Sequence, residues 1–259
     1  MRAMAELVRA PAALTVLGDT VAGSAVAGLP LRGRRLALPL ASVSLYWAGM
    51  ALNDWADREL DATERPERPL PSGRVTPAQA LGVATGLTAA GIGLAALGGG
   101  TKALKIALPL AGAIWTYDLL AKDTPAGPAA MALCRGLDVM LGAGKAVPAA
   151  AVVAGHTWGV TALSRGEVHG SSRRKVTAAL TGTAAVALAA AYVGTVAPGQ
   201  AGARRSPTAA KVRAATKAGI HAMIPLQAAL IGRRNLRAAL LTAALLPLAR
   251  KLSRRVSPT

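Results

Sequence analysis

Long runs dominated by Ala, Leu, Val and Gly alternate along the chain with short segments that collect nearly all of the Arg and Lys. A helix crossing about 30 Å of hydrocarbon needs about 20 such residues, and charged breaks mark where the chain emerges. The runs fall near residues 11–31, 35–53, 77–98, 103–120, 125–143, 146–164, 176–197, 211–231 and 235–249. The last two are the weakest, because Lys211, Arg213 and Lys217 sit in the first turns of the eighth and the ninth is short. Strand-like alternation is missing throughout, and in lipid the backbone polar groups must then be satisfied inside helices. The pattern predicts an all-α, polytopic transmembrane bundle of about nine helices, forming one domain over residues 1–259, with Gly and Ala allowing close helix packing.

Composition agrees: 53% hydrophobic with 16% charged residues and a mean hydropathy of +0.40 suits a chain dissolved in lipid better than a water-soluble domain. The net charge of +18 is spread over many short loops, with no basic helix or aromatic stacking platform, so nucleic-acid binding is not expected. Anionic lipid headgroups and a phosphorylated substrate account for it better. The single cysteine, Cys134, lies in an apolar run and rules out an intramolecular disulfide. The segment 2–28 loosely resembles a signal peptide, but Asp19 in its middle favours a retained first helix.

The most informative stretch ends the second span, LNDWADRELDATERPERPLPSGR from Leu52 to Arg74. At about 100° per residue, Asn53, Asp54, Asp57 and Asp61 fall within an arc of about 100° on a helical wheel. Three carboxylates on one face repel one another, and a hard divalent cation such as Mg²⁺, which binds one or two carboxylates while bridging to phosphate oxygens, would relieve them. The competing reading is a solvated helix end with Arg58, Arg65 and Arg68 as counter-charges. Of the 12 acidic residues in the chain, Asp54, Asp57, Glu59, Asp61, Glu64 and Glu67 crowd this one junction, which favours a built site. Pro66, Pro69 and Pro71 then break the helix into a stiff loop that Gly73 lets turn.

Here the residues resemble a known family. NDWADRELD is similar to the NDxxDxxxD motif of UbiA-type intramembrane prenyltransferases, and RPERPLPSGRVT is similar to the Arg-Pro-rich loop that follows it in that family. The resemblance implies that Asn53, Asp54, Asp57 and Asp61 hold Mg²⁺ and the diphosphate of a polyprenyl donor, with Arg68 as a supporting cation. It also implies a multi-pass protein of the bacterial cytoplasmic membrane with the acidic motif on the cytoplasmic side; near-equal Lys and Arg counts on the two faces leave orientation open. Helix parity puts the ends of the second, fourth and sixth spans on one side. CDP-alcohol phosphotransferases also carry an acid-rich helix, but the arrangement they need is missing here.

The fourth span ends in WTYDLLAKDT, with Tyr117, Asp118 and Lys122. It resembles the tyrosine and lysine element of the same family, with one extra residue between Tyr and Lys. Lys122 could neutralise leaving diphosphate, or could simply snorkel to the interface. In the fifth span Arg135 and Asp138, three apart, can pair on one face, where they serve either a cavity or a helix contact. Asp19 has the same two readings. After the sixth span the family carries a second acid cluster, whereas this chain has HTWGVTALSRGEVHGSSRRK from His156, with Glu167 its one acid. Arg165, His169 and Arg173 could contact diphosphate in place of a metal. This segment and KDTPAGPAAMALCRGLDVMLG resemble the divergent branch of UbiA-like proteins found with Ebo-type clusters. Six of the seven aromatics, Tyr46, Trp47, Trp55, Trp115, Tyr117 and Trp158, lie in or beside the ends of the second, fourth and sixth spans, as π faces for an allylic cation or as an interfacial belt.

What the resemblance implies is Mg²⁺-dependent transfer of an isoprenoid group from an allylic prenyl diphosphate to an aromatic or other small lipophilic acceptor. In that scheme Asp54, Asp57, Lys122 and Tyr117 would be catalytic, while Asn53, Asp61, Arg68, Asp118, Arg135, Arg165 and Glu167 would bind substrate. The alternative is a non-catalytic protein that binds or carries a prenyl or lipid-linked molecule in the same cavity. Membrane lipids are expected partners, and no protein partner is assigned.

Overall fold

The computed structural model describes residues 2–165 and 209–252. Among the described residues the secondary structure is entirely helical. The order is α1 (Arg2–Leu7), a 3₁₀ turn (Ala10–Thr15), α2 (Leu17–Val26), a second 3₁₀ turn (Gly33–Leu36), α3 (Ala37–Ala56), α4 (Arg58–Glu64) and α5 (Pro77–Thr116). A π-helical turn (Tyr117–Ala121) extends α5, and α6 (Gly127–Leu141), α7 (Val147–Ser164), α8 (Ala209–Gly232), α9 (Leu236–Ala243) and α10 (Leu245–Leu252) follow.

The helical run from Pro77 is interrupted at Gly100, whose φ of 61° and ψ of −149° are non-helical. That conformation costs glycine little and other residues much. The chain doubles back there: Trp115 Nε1 donates to Thr88 Oγ1 at 3.1 Å. In one straight helix these residues, 27 apart, would be separated by about 40 Å. The break divides the run as the sequence predicts, near 77–98 and 103–120. The first predicted span is shorter than expected, a 3₁₀ turn followed by the ten-residue α2. The ninth is two short helices that meet at Ala244. Span 176–197 lies outside the described residues. The stretches Gly33–Ala56 and Pro77–Ala121 are each long and apolar enough to cross a membrane.

The two largest apolar clusters among the described residues hold the bundle. One joins α2, α6, α7 and α8 through Ala22, Val139, Ala149, Val153, Met223 and Ile231. The other joins α3, both halves of α5 and α6 through Leu38, Leu45, Ala95, Ala107, Leu110 and Leu141. Small residues set the spacing: a Cβ on Gly142 would collide with the Thr20 carbonyl, and one on Gly91 would come 2.7 Å from Leu45 Cγ. Helices in lipid gain little from the hydrophobic effect, so such close approach is where their packing energy lies. Arg35 Nη2 at 2.6 Å and Ser24 Oγ at 2.7 Å both donate to the Gly142 carbonyl, satisfying the end of α6.

Gly142→Ala is expected to destabilise the detergent-solubilised protein by about 2 kcal/mol, because backbone rather than a movable side chain blocks the methyl. Gly86→Ala, where nothing lies within 4 Å, serves as the neutral control. Equal melting temperatures for the two variants would contradict the packing account.

Candidate functional site

The motif helix does not run on unbroken. Helix α3 stops at Ala56, Asp57 takes φ −88° and ψ 5°, and α4 starts at Arg58, so the single acidic face drawn on the helical wheel is split. Buried Asp54 and Asp61 and half-buried Asn53 and Asp57 cannot stand side by side without partners, and the break sends them two ways. Asp54 and Asp61 turn toward arginines, while Asn53 and Asp57 turn toward the end of α5.

Arg68 Nη1 donates to Asp61 Oδ2 at 2.6 Å and lies 3.4 Å from Asp54 Oδ1. Arg9 Nη2 donates to the same Asp54 oxygen at 3.0 Å and reaches Asn53 Oδ1 at 3.5 Å. Asn53 Nδ2 in turn points at Asp118 Oδ1, 3.5 Å away, and Lys122 Nζ is bonded to Asp57. The side chains of Arg9, Arg68 and Lys122 are each 12% exposed, so all three point into the protein, and Lys122 does not snorkel outward. Arg58 lies 4.9 Å over the Trp55 ring, and Arg65 approaches Asp61 only to 3.9 Å from a half-exposed position.

Arg9 is the residue that sequence reasoning missed. It was available from parity, since the start of the first span and the end of the second must share a membrane face. Its backbone is left-handed, with φ 46° and ψ 50°, and it is the one non-glycine residue with positive φ among those described. An arginine tolerates that conformation only when its surroundings hold it there. The holding contacts are its bonds to Asp54 and Asn53 at one end and the α1 tether at the other, where Arg74 grips the Glu6 carboxylate and its Nη2 donates to the Glu67 carbonyl at 2.6 Å. The loop that carries Arg68 and Arg74 is pinned by buried Leu70 and Val75 and ends in a capping box between Thr76 and Gln79.

The extra residue between Tyr117 and Lys122 is absorbed by the π turn: Lys122 N–H donates to Tyr117 O at 2.9 Å, an i→i+5 bond. Such a turn stacks residues five apart as an α-helix stacks residues four apart, and π turns recur at functional sites. Tyr117 thus stays on the cavity wall while Lys122 meets Asp57.

Behind the acids lies an apolar cavity walled mainly by Leu45, Tyr46, Met50, Leu110, Ile114 and Met131, with Tyr117 and Asp118 at its upper rim. Gly49 keeps the wall open, since a Cβ there would sit 3.0 Å from Ile114 Cγ2. Tyr46 and Tyr117 are the aromatics that line it, whereas Trp55 and Trp115 are engaged by Arg58 and Thr88, and Trp158 is 46% exposed. Arg135 does not pair with Asp138 as their spacing suggested; its guanidinium crosses to Asp19 at 3.0 Å and to the Thr15 carbonyl at 2.8 Å, and Asp138 takes the Ser42 hydroxyl instead. A carboxylate already engaged on the neighbouring helix α2 offers that guanidinium a partner without distorting α6. Arg165 is exposed and donates to the Asp123 and Thr124 carbonyls, linking the end of α7 to the loop before α6. Glu167, His169 and Arg173 lie outside the described residues.

The donor set is one of hard oxygens, which suits Mg²⁺. Among the described residues the acids are not gathered into a ready-made metal cluster, because a basic side chain stands beside each. Mg²⁺ commonly arrives with phosphate and uses one or two carboxylates, and the Asp54–Asp61 and Asp57–Asp118 groups each offer that number.

Two outcomes follow. Deleting the exposed Leu120 converts the π turn to an α turn with Tyr117 and the lysine still stacked, so the melting temperature is expected to stay within about 3 °C of wild type. A loss of 10 °C or more would show that the π geometry itself is required. The bond to Arg74 holds the Glu6 carboxyl below its ordinary value of 4.5. A depressed carboxylate stabilises the tether fully above that value and loses its contribution as the pH falls below it. Hydrogen-exchange protection in α1, taken relative to the intrinsic rate at each pH, should therefore be high at pH 6 and fall at pH values below the ordinary carboxyl range, and Glu6→Gln should show the low protection already at pH 6.

Comparison with known proteins gives one consistent picture. The model of the UbiA prenyltransferase family matches residues 15–253. A digeranylgeranylglyceryl phosphate synthase of Methanopyrus kandleri is 42% identical over 96 residues, covering 37% of this chain and 35% of that protein. The enzyme of the same name from Halobacterium salinarum is 37% identical over 155 residues, covering 55% of this chain and 52% of that protein. The chain thus spans about half, or less, of the length of the curated relatives it matches. A solved UbiA homologue from Aeropyrum pernix K1 superimposes with a TM-score of 0.58 at 19% identity, over 93% of this chain and 98% of that one. A structure concerning digeranylgeranylglyceryl phosphate synthase in membranes gives 0.57 at 16% identity, over 97% and 94%.

Proposed function

Because this chain belongs to the UbiA prenyltransferase family, we propose that it transfers an isoprenoid group from an allylic prenyl diphosphate to a small lipophilic acceptor within the membrane. The observation that carries this reading is the trio of largely buried cations Arg9, Arg68 and Lys122 set among the motif acids at the mouth of an apolar cavity. Cations desolvated to this degree attract phosphate oxygens strongly, and the arginines can do so through two parallel N–H donors.

The diphosphate would lie among Arg9, Arg68 and Lys122, with its reacting carbon at the mouth of the cavity. Mg²⁺ arriving with the diphosphate and held by the Asp54–Asp61 or the Asp57–Asp118 carboxylates would supply further positive charge to the departing group. Lys122, four residues after the rim residue Asp118, would neutralise charge as the C–O bond breaks. Tyr46 and Tyr117 offer π faces to the allylic cation, and the apolar wall excludes water that would otherwise trap it. Asp118, on the rim beside Asn53, is placed to take the proton the acceptor gives up. A multiply charged diphosphate does not cross a bilayer, so the motif end would face the cytoplasm where such donors are made.

Nanodisc-embedded protein incubated with labelled C10 to C20 allylic diphosphates, Mg²⁺ and an acceptor panel is expected to release diphosphate and to label an acceptor. Asp54→Ala, Asp57→Ala and Lys122→Ala should each lower the rate by about 100-fold or more. Arg9→Ala should weaken donor binding by about tenfold. Tight donor binding without turnover in every acceptor background would instead favour a carrier.

A further inference from the structure

The floor of the cavity does not suit a hydrocarbon tail. Opposite the diphosphate end the wall is formed by Ser42, Arg135 and Asp138. Ser42 Oγ donates to Asp138 Oδ2 at 2.6 Å, and Asp138 Oδ1, on a residue 6% exposed, meets no hydrogen-bond donor. Asp19, fully buried behind them, is paired to Arg135 at 3.0 Å and accepts from Gln227 Nε2 at 2.6 Å. Gln227 Nε2 and Arg135 Nη2 also donate to the Thr15 carbonyl, each at 2.8 Å. Two carboxyls therefore face one guanidinium, and Arg135 Nη2, Gln227 Nε2 and the Ser42 hydroxyl are spent on Asp19, Thr15 and the far oxygen of Asp138.

A carboxylate oxygen buried without a donor costs free energy that a prenyl tail, which has nothing to donate, cannot offset. A hydroxyl or amine can. We infer that Asp138, oriented by Ser42, forms an acceptor subsite for a neutral or cationic molecule that presents an O–H or N–H group at the end remote from its reacting atom. Its span follows from α3. A Cβ on Gly49 would lie 3.5 Å from Asp118 Oδ2, so Gly49 marks the level of the reacting end. Ser42 is seven residues earlier, which is about 10 Å at the rise of an α-helix. An acceptor with a phenol, alcohol or amine about 10 Å from its nucleophilic atom fits between them. Molecules bearing a carboxylate or phosphate at that end are disfavoured at Asp138, since the group they would meet there is itself anionic. The acceptor assignment rests on the prenyltransfer reading, but recognition at Asp138 is separable from it.

The competing arrangement is a single proton shared between Asp19 and Asp138, whose carboxyls lie within hydrogen-bonding reach of each other. It would satisfy the free oxygen with no ligand. Titration calorimetry of 4-hexylphenol and 4-hexylbenzoate into the full chain in nanodiscs, with empty nanodiscs subtracted, separates the two. The phenol is expected to bind at least about tenfold more tightly than the benzoate. Asp138→Asn should weaken phenol binding by about tenfold and leave binding of a non-hydrolysable farnesyl diphosphate analogue unchanged. Benzoate binding as tightly as phenol, or wild-type phenol affinity in the folded Asp138→Asn variant, overturns the proposal. Should that variant fail to fold, Ser42→Ala leaves every ion pair in place; severalfold weaker phenol binding supports the subsite, and unchanged affinity overturns it. Phenol binding that depends on Asp138 in a protein that turns over no prenyl diphosphate would leave the subsite standing and remove the transferase reading.

Discussion

Charge pairing at the end of the bundle is the constraint on which the remainder of the structure depends. Asp54 and Asp61 are almost wholly buried, and isolated carboxylates there would cost several kcal/mol each. Arg9 and Arg68 meet that cost and Lys122 pairs with the less buried Asp57, so the cations come from three different parts of the chain: the segment before α2, the proline-rich loop and the end of α5. The same three contacts therefore fix the N-terminal tether, the cover loop and the α5 terminus around α3. A site built this way is assembled only when the bundle is, and its cations stand ready for an incoming anion.

Around this charged end the protein is held by close contact rather than by bulky side chains. The chain contains no phenylalanine and 28 glycines. Where Gly142, Gly23 and Gly91 touch neighbouring helices there is no room for a methyl group, and two of these contacts are with backbone carbonyls. Gly49 uses the same economy for the opposite purpose, leaving open the passage between the acids and the polar floor. The cavity is thus a consequence of helix packing, bounded by ion pairs above and by the Asp19–Arg135 and Ser42–Asp138 contacts below.

The π turn at Tyr117–Ala121 shows how a departure in spacing can be silent in geometry. An extra residue between Tyr117 and Lys122 would rotate the lysine by about 100° in a continuous α-helix. Widening one turn cancels that rotation, and Lys122 reaches Asp57.

Much was legible in the chain itself. The hydrophobic runs, the prolines and the charged breaks determined an all-helical bundle and most helix limits, because lipid forces every backbone polar group into local hydrogen bonds. The crowding of acids from Asp54 to Glu67 located the candidate site. Pairing was another matter. That Arg135 joins Asp19 rather than Asp138, that Arg9 bends into a left-handed conformation to reach Asp54, and that α3 breaks at Asp57 were decided by tertiary structure. Each depends on which side chains from distant segments arrive within 3 to 4 Å, and sequence spacing along one helix carries no information about that.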